Sequence, residues 1–163
     1  MSAETVRNWL AAYAPDLRII DNGLEVATVA EAAAGLNVEP SRIAKTLALR
    51  VQKQIVLVVA RGDARLDNAK CKLALGGRPR FLNAEETLRM TGHPVGGVCP
   101  FGLAVDLSVY CDVSLRGFVT VYPAAGSRTA SIAIAPDRLC ALTASQWIDV
   151  CRTPDETNSP RAG

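Results

Sequence analysis

The chain has 163 residues, 49% apolar and 21% charged, with a net charge of +2. That length suits one domain able to bury about 70% of the surface it exposes when unfolded, and the composition is globular, which excludes a disordered or fibrous chain. No apolar run approaches the roughly 18 residues of a membrane span, and the opening Met1-Ser2-Ala3-Glu4 lacks a basic and apolar leader, so no membrane partner is expected and the expected compartment is the cytoplasm.

Val6, Trp9, Leu10 and Tyr13 recur at spacings of three and four, which predicts a helix over residues 2–14, stopped by Pro15. Leu17 to Ile20 reads as a short strand running into the turn pair Asn22-Gly23. Thr28 stands three residues before Glu31, the spacing of a capping box, and an alanine-rich helix is expected to follow as far as Gly35. Pro40 and Ser41 open a further helical turn.

Residues 43–51 read as a strand that holds one lysine. If Leu47 and Leu49 face the core, alternation puts Lys45 on the same face. Such a lysine either lines a cavity with a partner or sits at a helix–strand junction with its stem packed and its ammonium in water. Both readings stand at this point. Gln54 to Ala60 is a nearly continuous β-branched run, which predicts a buried central strand, with Lys53-Gln54 as the hairpin turn before it. Gly62-Asp63 marks another turn. Asp67 can cap a helix through Leu73 and Leu75, closed by Gly76-Gly77. Pro79 to Leu82 is a short strand, and Asn83 with Glu86 is a second capping box, opening a helix that Gly92 ends. Between Arg42 and Arg89, eleven lysines and arginines stand against four aspartates and glutamates. This basic middle is either a solvated surface or the footprint of a polyanionic partner.

The run Thr91-Gly-His-Pro-Val-Gly-Gly-Val-Cys-Pro-Phe-Gly102 follows. Glycine admits close approach and positive φ, and proline fixes φ, so this segment is a loop of defined shape. The amides of Gly96, Gly97, Val98 and Cys99 can face a carbonyl oxygen, a developing oxyanion or a phosphate. The same punctuation also marks a plain surface loop between a helix and a strand. Strands are then expected at 104–110, 117–122 and 131–134, with Asp112 capping a turn, a glycine turn over 123–128, and a last helix opened by Pro136. The chain from Thr153 onward has little to bury and is expected to be disordered. Hairpin-connected strands mixed with isolated helices point to an α/β class of the α+β kind with a mixed sheet, in a single domain over 1–152 followed by a tail at 153–163.

Several chemistries are excluded. The five cysteines form no C-x-x-C pair and the chain has one histidine, so neither a zinc site nor a disulfide framework is indicated. No phosphate-loop or dinucleotide pattern occurs, and no metal or cofactor is expected. A Ser-His-Asp or Cys-His system would need His93, which is expected at the surface where the loop begins, and Cys99 as a nucleophile lacks a visible base. Chemistry would rest on Lys45, backbone amides, a water and the substrate itself.

Thr28 to Ala34, Ile43-Ala-Lys-Thr-Leu47, Gly62-Asp63 with Leu66-Asp67 and Lys70, the 91–102 run, Val109-Tyr-Cys-Asp112 and Ala125-Gly126 together resemble, in order, the YbaK/EbsC family of prolyl-tRNA editing proteins. The resemblance implies a curved, barrel-like mixed sheet with flanking helices. It also implies hydrolysis of the ester joining a wrong amino acid to the 3′ end of tRNA(Pro), with prolyl-tRNA synthetase as a further partner and a monomer or homodimer as the assembly. Lys45 aligns with the lysine the family requires, and Gly96 to Pro100 with its G-x-x-x-P substrate loop. By resemblance, Lys45, Gly96 and Gly97 are the catalytic set. Thr46, Val98, Cys99, Pro100, Phe101, Gly102, Asp112 and Gly126 form the substrate-binding set, Asp112 with a structural emphasis. Two departures bear on specificity: Cys99 replaces a serine found in many relatives, and Pro123-Ala-Ala-Gly126 replaces the histidine motif of alanine-specific ones, which leaves cysteine, serine, threonine or a small non-protein amino acid. The competing readings are a non-catalytic module that binds tRNA or a partner in the same pocket, and a redox-sensing thiol built on Cys99.

Overall fold

The computed structural model describes residues 2–155. In chain order its elements are α1 (Ser2–Tyr13), β1 (Ile19–Asp21), α2 (Val29–Leu36), β2 (Ile43–Val51), β3 (Gln54–Arg61), β4 (Arg65–Leu66), α3 (Asn68–Leu75), β5 (Pro79–Phe81), α4 (Ala84–Thr91), β6 (Ser108–Asp112), β7 (Tyr122–Pro123), β8 (Ala130–Ile132), α5 (Pro136–Leu142), β9 (Gln146–Ile148) and β10 (Cys151–Arg152), with 3-10 turns at Pro40–Arg42 and Val113–Leu115. The caps read from the sequence form: Thr28 accepts from the Glu31 amide at 3.1 Å, Asp67 from Lys70 at 3.1 Å and Asn83 from Glu86 at 2.8 Å. Each such cap stabilises its helix by about 1 kcal/mol.

The central sheet runs β5-β2-β3-β6-β9, with β7 beside β2. β5, β2 and β3 pair antiparallel, whereas β6 and β9 continue from β3 in parallel and β7 lies parallel to β2. The barrel-like expectation needs correction. The sheet is mixed but open, with β5 at one end and β9 at the other, each only three residues long.

β3 is buried on both faces, as its β-branched run requires. Leu57 and Val59 join Val6, Leu10, Phe101, Leu115, Ile132 and Leu139 in one core; Val56, Val58 and Ala60 join Leu49, Ala64, Cys71 and Val150 in a second. Some expectations shift. The β2–β3 turn falls at Gln52-Lys53, where Gln52 takes φ 55°. The strand expected at 104–110 begins only at Ser108, and that at 117–122 reduces to a bridge at Val121 and the short β7. Of the tail expected from residue 153, Thr153 is buried and Asp155 lies 3.7 Å from the Arg61 guanidinium, and residues 156–163 fall outside the described ones. No helix among the described residues is long and apolar enough to cross a membrane.

Candidate active site at the open edge of the central sheet

The outer edge of β2 is covered twice. β7 pairs with Ile43 and Ala44, and β5 with Leu49 to Val51. Between them Lys45, Thr46 and Leu47 have no strand on that side. The Ala48 carbonyl accepts from the Leu82 amide at 3.1 Å on this edge. Backbone groups of a strand alternate sides, so the N–H and C=O of Thr46 point into the gap. A cavity of about 310 Å³ fills it, walled by α2 and the segment before it, the turn after β7, and the loop at Val95 to Val98.

The pleat of β2 divides the lining. Ala44, Thr46 and Ala48 face the first core, together with Ala130 and Leu82. Lys45 and Leu47 face the other way, toward the side of Leu49 and of Phe81, which is paired with it. α2 begins on this second side: a Cβ on Gly62 would meet Val29 Cγ1 at 2.8 Å and Ile43 Cβ at 3.1 Å. The Thr46 Oγ1 is screened from solvent and has no hydrogen-bond partner among the described residues.

Lys45 resolves the alternatives left by the sequence. Its side chain turns inward, half-buried, and Nζ donates to the Ala64 carbonyl at 2.5 Å. Burial holds its pKa below the ordinary 10.5, against the opposing pull of a nearby Cys151 and Asp63. The turn that supplies this carbonyl comes close because residue 62 is glycine; a Cβ there would sit 2.2 Å from the Pro40 carbonyl.

The glycine loop contributes less to the cavity than its composition suggests. Gly96, at φ 94°, and Val98 line it. The Gly97 amide instead donates to the Pro94 carbonyl at 2.9 Å and closes the loop's own turn. A Cβ on Gly97 would lie 2.8 Å from Ser127 Cα, so this glycine seats the loop against the turn after β7. Arg128 from that turn lies along Gly96 and donates from Nε to the Val95 carbonyl at 3.0 Å.

The other expected residues lie away from the cavity. Cys99, Pro100 and Phe101 point into the interior, where the Phe101 ring stands 5.5 Å from Trp9. Gly102 packs on Thr5, and Gly126 packs on Ser2 and Val6. Asp112 is fully buried; one oxygen accepts from the Ser114 amide at 2.9 Å and the other from Val150 at 2.8 Å, so it ties β6 to the chain before β10. Sequence reasoning missed Phe81, Ser127, Arg128 and Thr129, which do line the cavity; the last three follow the Gly126 turn, and that adjacency was the available signal.

His93 also needs correction. It is fully buried, not a surface residue. Nε2 donates to the Phe101 carbonyl at 2.7 Å, and Nδ1 meets the Ser2 hydroxyl at 2.6 Å. Burial lowers its pKa from the ordinary 6.5. It joins the start of α1 to both ends of the loop, a long-range role that local patterning does not reveal. Cys99 Sγ lies 3.6 Å from Nε2, but the proton of that nitrogen is already given to Phe101. Burial pushes the Cys99 thiol up to about 12, which leaves it neither a nucleophile nor a sensor at neutral pH. Among the described residues, no group of three or more His, Cys, Asp or Glu could hold a metal.

Comparison with known proteins bears on the same residues. The family model for an aminoacyl-tRNA editing domain matches residues 24–142, which include every residue lining the cavity except Asn22. The Bacillus subtilis (strain 168) protein YwhH, itself described as uncharacterized, is 44% identical over 154 residues, covering 93% of this chain and 98% of that protein. The proline–tRNA ligase of Thermotoga sp. (strain RQ2) is 39% identical over 93 residues, covering 56% of this chain and 16% of the ligase. A crystal structure described as a proposed trans-editing enzyme for prolyl tRNA synthetase superposes with a TM-score of 0.85 at 32% identity, covering 93% of this chain and 97% of that one.

Proposed function

The chain belongs to the aminoacyl-tRNA editing domain family, and from that premise we propose that it is a deacylase that hydrolyses the ester of a small non-cognate amino acid on tRNA(Pro). The observation that carries the reading is the juxtaposition at one open strand edge of outward backbone groups at Thr46, a half-buried ammonium at Lys45 and the half-buried loop edge at Gly96 and Val98.

An aminoacyl ester is already activated, so positioning and oxyanion stabilisation are enough and no strong nucleophile is needed. Water attacks the carbonyl carbon, the ester C–O bond breaks, and the terminal ribose oxygen leaves with a proton. Backbone N–H groups at Thr46 and at Gly96 or Val98 would hold the carbonyl oxygen as it becomes charged. Lys45 would release the Ala64 carbonyl and turn its charge on the ester or on the terminal phosphate. Ala44, Ala48 and Ala124 leave room for a small side chain, and the hydroxyls of Thr46, Ser127 and Thr129 suit serine, threonine or cysteine better than a purely apolar one. Prolyl-tRNA synthetase would present the mischarged tRNA.

The existing bond from Lys45 to Ala64 favours one second reading, in which the pocket binds an aminoacyl end without cleaving it. Replacing Lys45 with alanine separates the two. The deacylase reading expects a folded Lys45→Ala protein to lose at least about 100-fold in deacylation rate, measured on the mischarged tRNA that the wild type cleaves. Unchanged cleavage by the folded variant contradicts the assigned role.

A further inference from the structure

Phe81 is the least explained residue at the cavity. It is a large aromatic side chain, 66% exposed, at the end of β5, and it lines the cavity mouth. An apolar ring in that place gains nothing from the core. Its backbone pairs directly with Leu49 of β2, so its side chain lies on the face of β2 that carries Lys45 and Leu47. The opposite face of the same strand presents Thr46 and the small alanines. The cavity therefore has two sides, divided by the free edge of β2: one with Thr46 and the small alanines, and one that carries the exposed ring and, four residues along β2, the Lys45 ammonium. β5 also carries Arg80, exposed on the opposite face where it pairs with Arg50, and Arg78 just before the strand is exposed too.

Resting on the deacylase reading, we propose that Phe81 is the stacking platform for the unpaired base at the 3′ end of the tRNA, on the Lys45 side of the β2 edge, while the aminoacyl side chain enters the Thr46 side. An unstacked base presents a flat π-face that an aromatic ring holds without reading its sequence, and cationic side chains nearby complement the backbone phosphate. The ester then falls at the dividing edge, beside the outward backbone groups of Thr46. Phe81 acts on binding and position and takes no part in bond breaking.

The test uses the full chain and two readouts. Phe81→Trp places an indole at the mouth, and titration with adenosine 5′-monophosphate is followed by its fluorescence. Saturable quenching, absent from the wild type with its own Trp9 and Trp147, is expected. In deacylation, Phe81→Ala and Phe81→Leu are expected to raise KM about 10-fold with kcat nearly unchanged, and Phe81→Trp to stay near wild type. An unquenched indole at millimolar nucleotide, or a leucine variant as good as wild type, overturns the platform. The quenching does not depend on turnover: quenching without deacylation of any ester would defeat the deacylase reading alone, and deacylation indifferent to Phe81 would defeat the platform alone.

Discussion

Lys45 and Cys99 look alike in the sequence, each a reactive group in a run with functional character, and the structure separates them by depth. Lys45 is half-buried at a cavity, where burial lowers its pKa and its Nζ donates to one carbonyl. Cys99 is wholly enclosed, and burial pushes its thiol up to about 12. An enclosed, protonated thiol reacts slowly. Native protein in iodoacetamide at pH 8 is therefore expected to keep Cys99 unmodified, as read by mass spectrometry of its peptide, whereas denaturant exposes all five cysteines to modification. Rapid native alkylation at Cys99 would restore the redox reading. The lysine was legible because a charge interrupted an apolar strand. The depth of the cysteine was not, because a cysteine in a glycine loop fits an exposed thiol as well as a buried one.

At the scale of elements, local signals were legible and distant ones were not. The caps at Thr28, Asp67 and Asn83 lie within three residues of the amides they bind, so spacing alone exposes them. β4 and β10 are two residues each and exist only because they pair with one another across the chain, and no periodicity develops in so short a run. The burial of His93 was hidden for the same reason, since its partners are Ser2 and Phe101. Its folded pKa lies below the unfolded value near 6.5. The unfolded chain therefore takes up a proton that the folded one resists, so this stability is complete above that pH and is lost as pH falls below it. Urea midpoints are expected to fall between pH 8 and pH 5 in the wild type, with a flatter profile in His93→Gln. Equal slopes would show that another group governs the acid limb. Asp112 gives a second check. Asp112→Ala strands the buried amide of Val150 and the part-buried amide of Ser114, and is expected to destabilise the fold by about 3 kcal/mol. Its deacylation rate per folded molecule should stay near wild type; a selective loss of rate at full stability would return Asp112 to the substrate.

For the whole molecule, the class of fold was legible and its closure was not. Strand-rich hairpins among separate helices indicate a mixed sheet, but whether the sheet closes depends on pairing between its end strands, and three-residue β5 and β9 remain apart. The site follows the same logic. Lys45 and Thr46 were visible on one strand, whereas the cavity also needs the segment before α2, the tip of β5, the loop around Gly96 and the turn at Arg128. These segments meet only because β5 and β7 share one edge of β2 and leave a gap between them. The proposed site thus sits in an interruption of the sheet, in a chain that the editing-domain family model matches over residues 24–142. The most direct measurement charges tRNA(Pro) separately with proline, alanine, serine, threonine, cysteine and 2-aminobutyrate and follows ester loss with and without the protein, alone and with prolyl-tRNA synthetase present. The account predicts accelerated loss of a small non-cognate ester, with prolyl-tRNA(Pro) spared. No acceleration on any ester, even with the synthetase added, would contradict it and leave the cavity as a binding site.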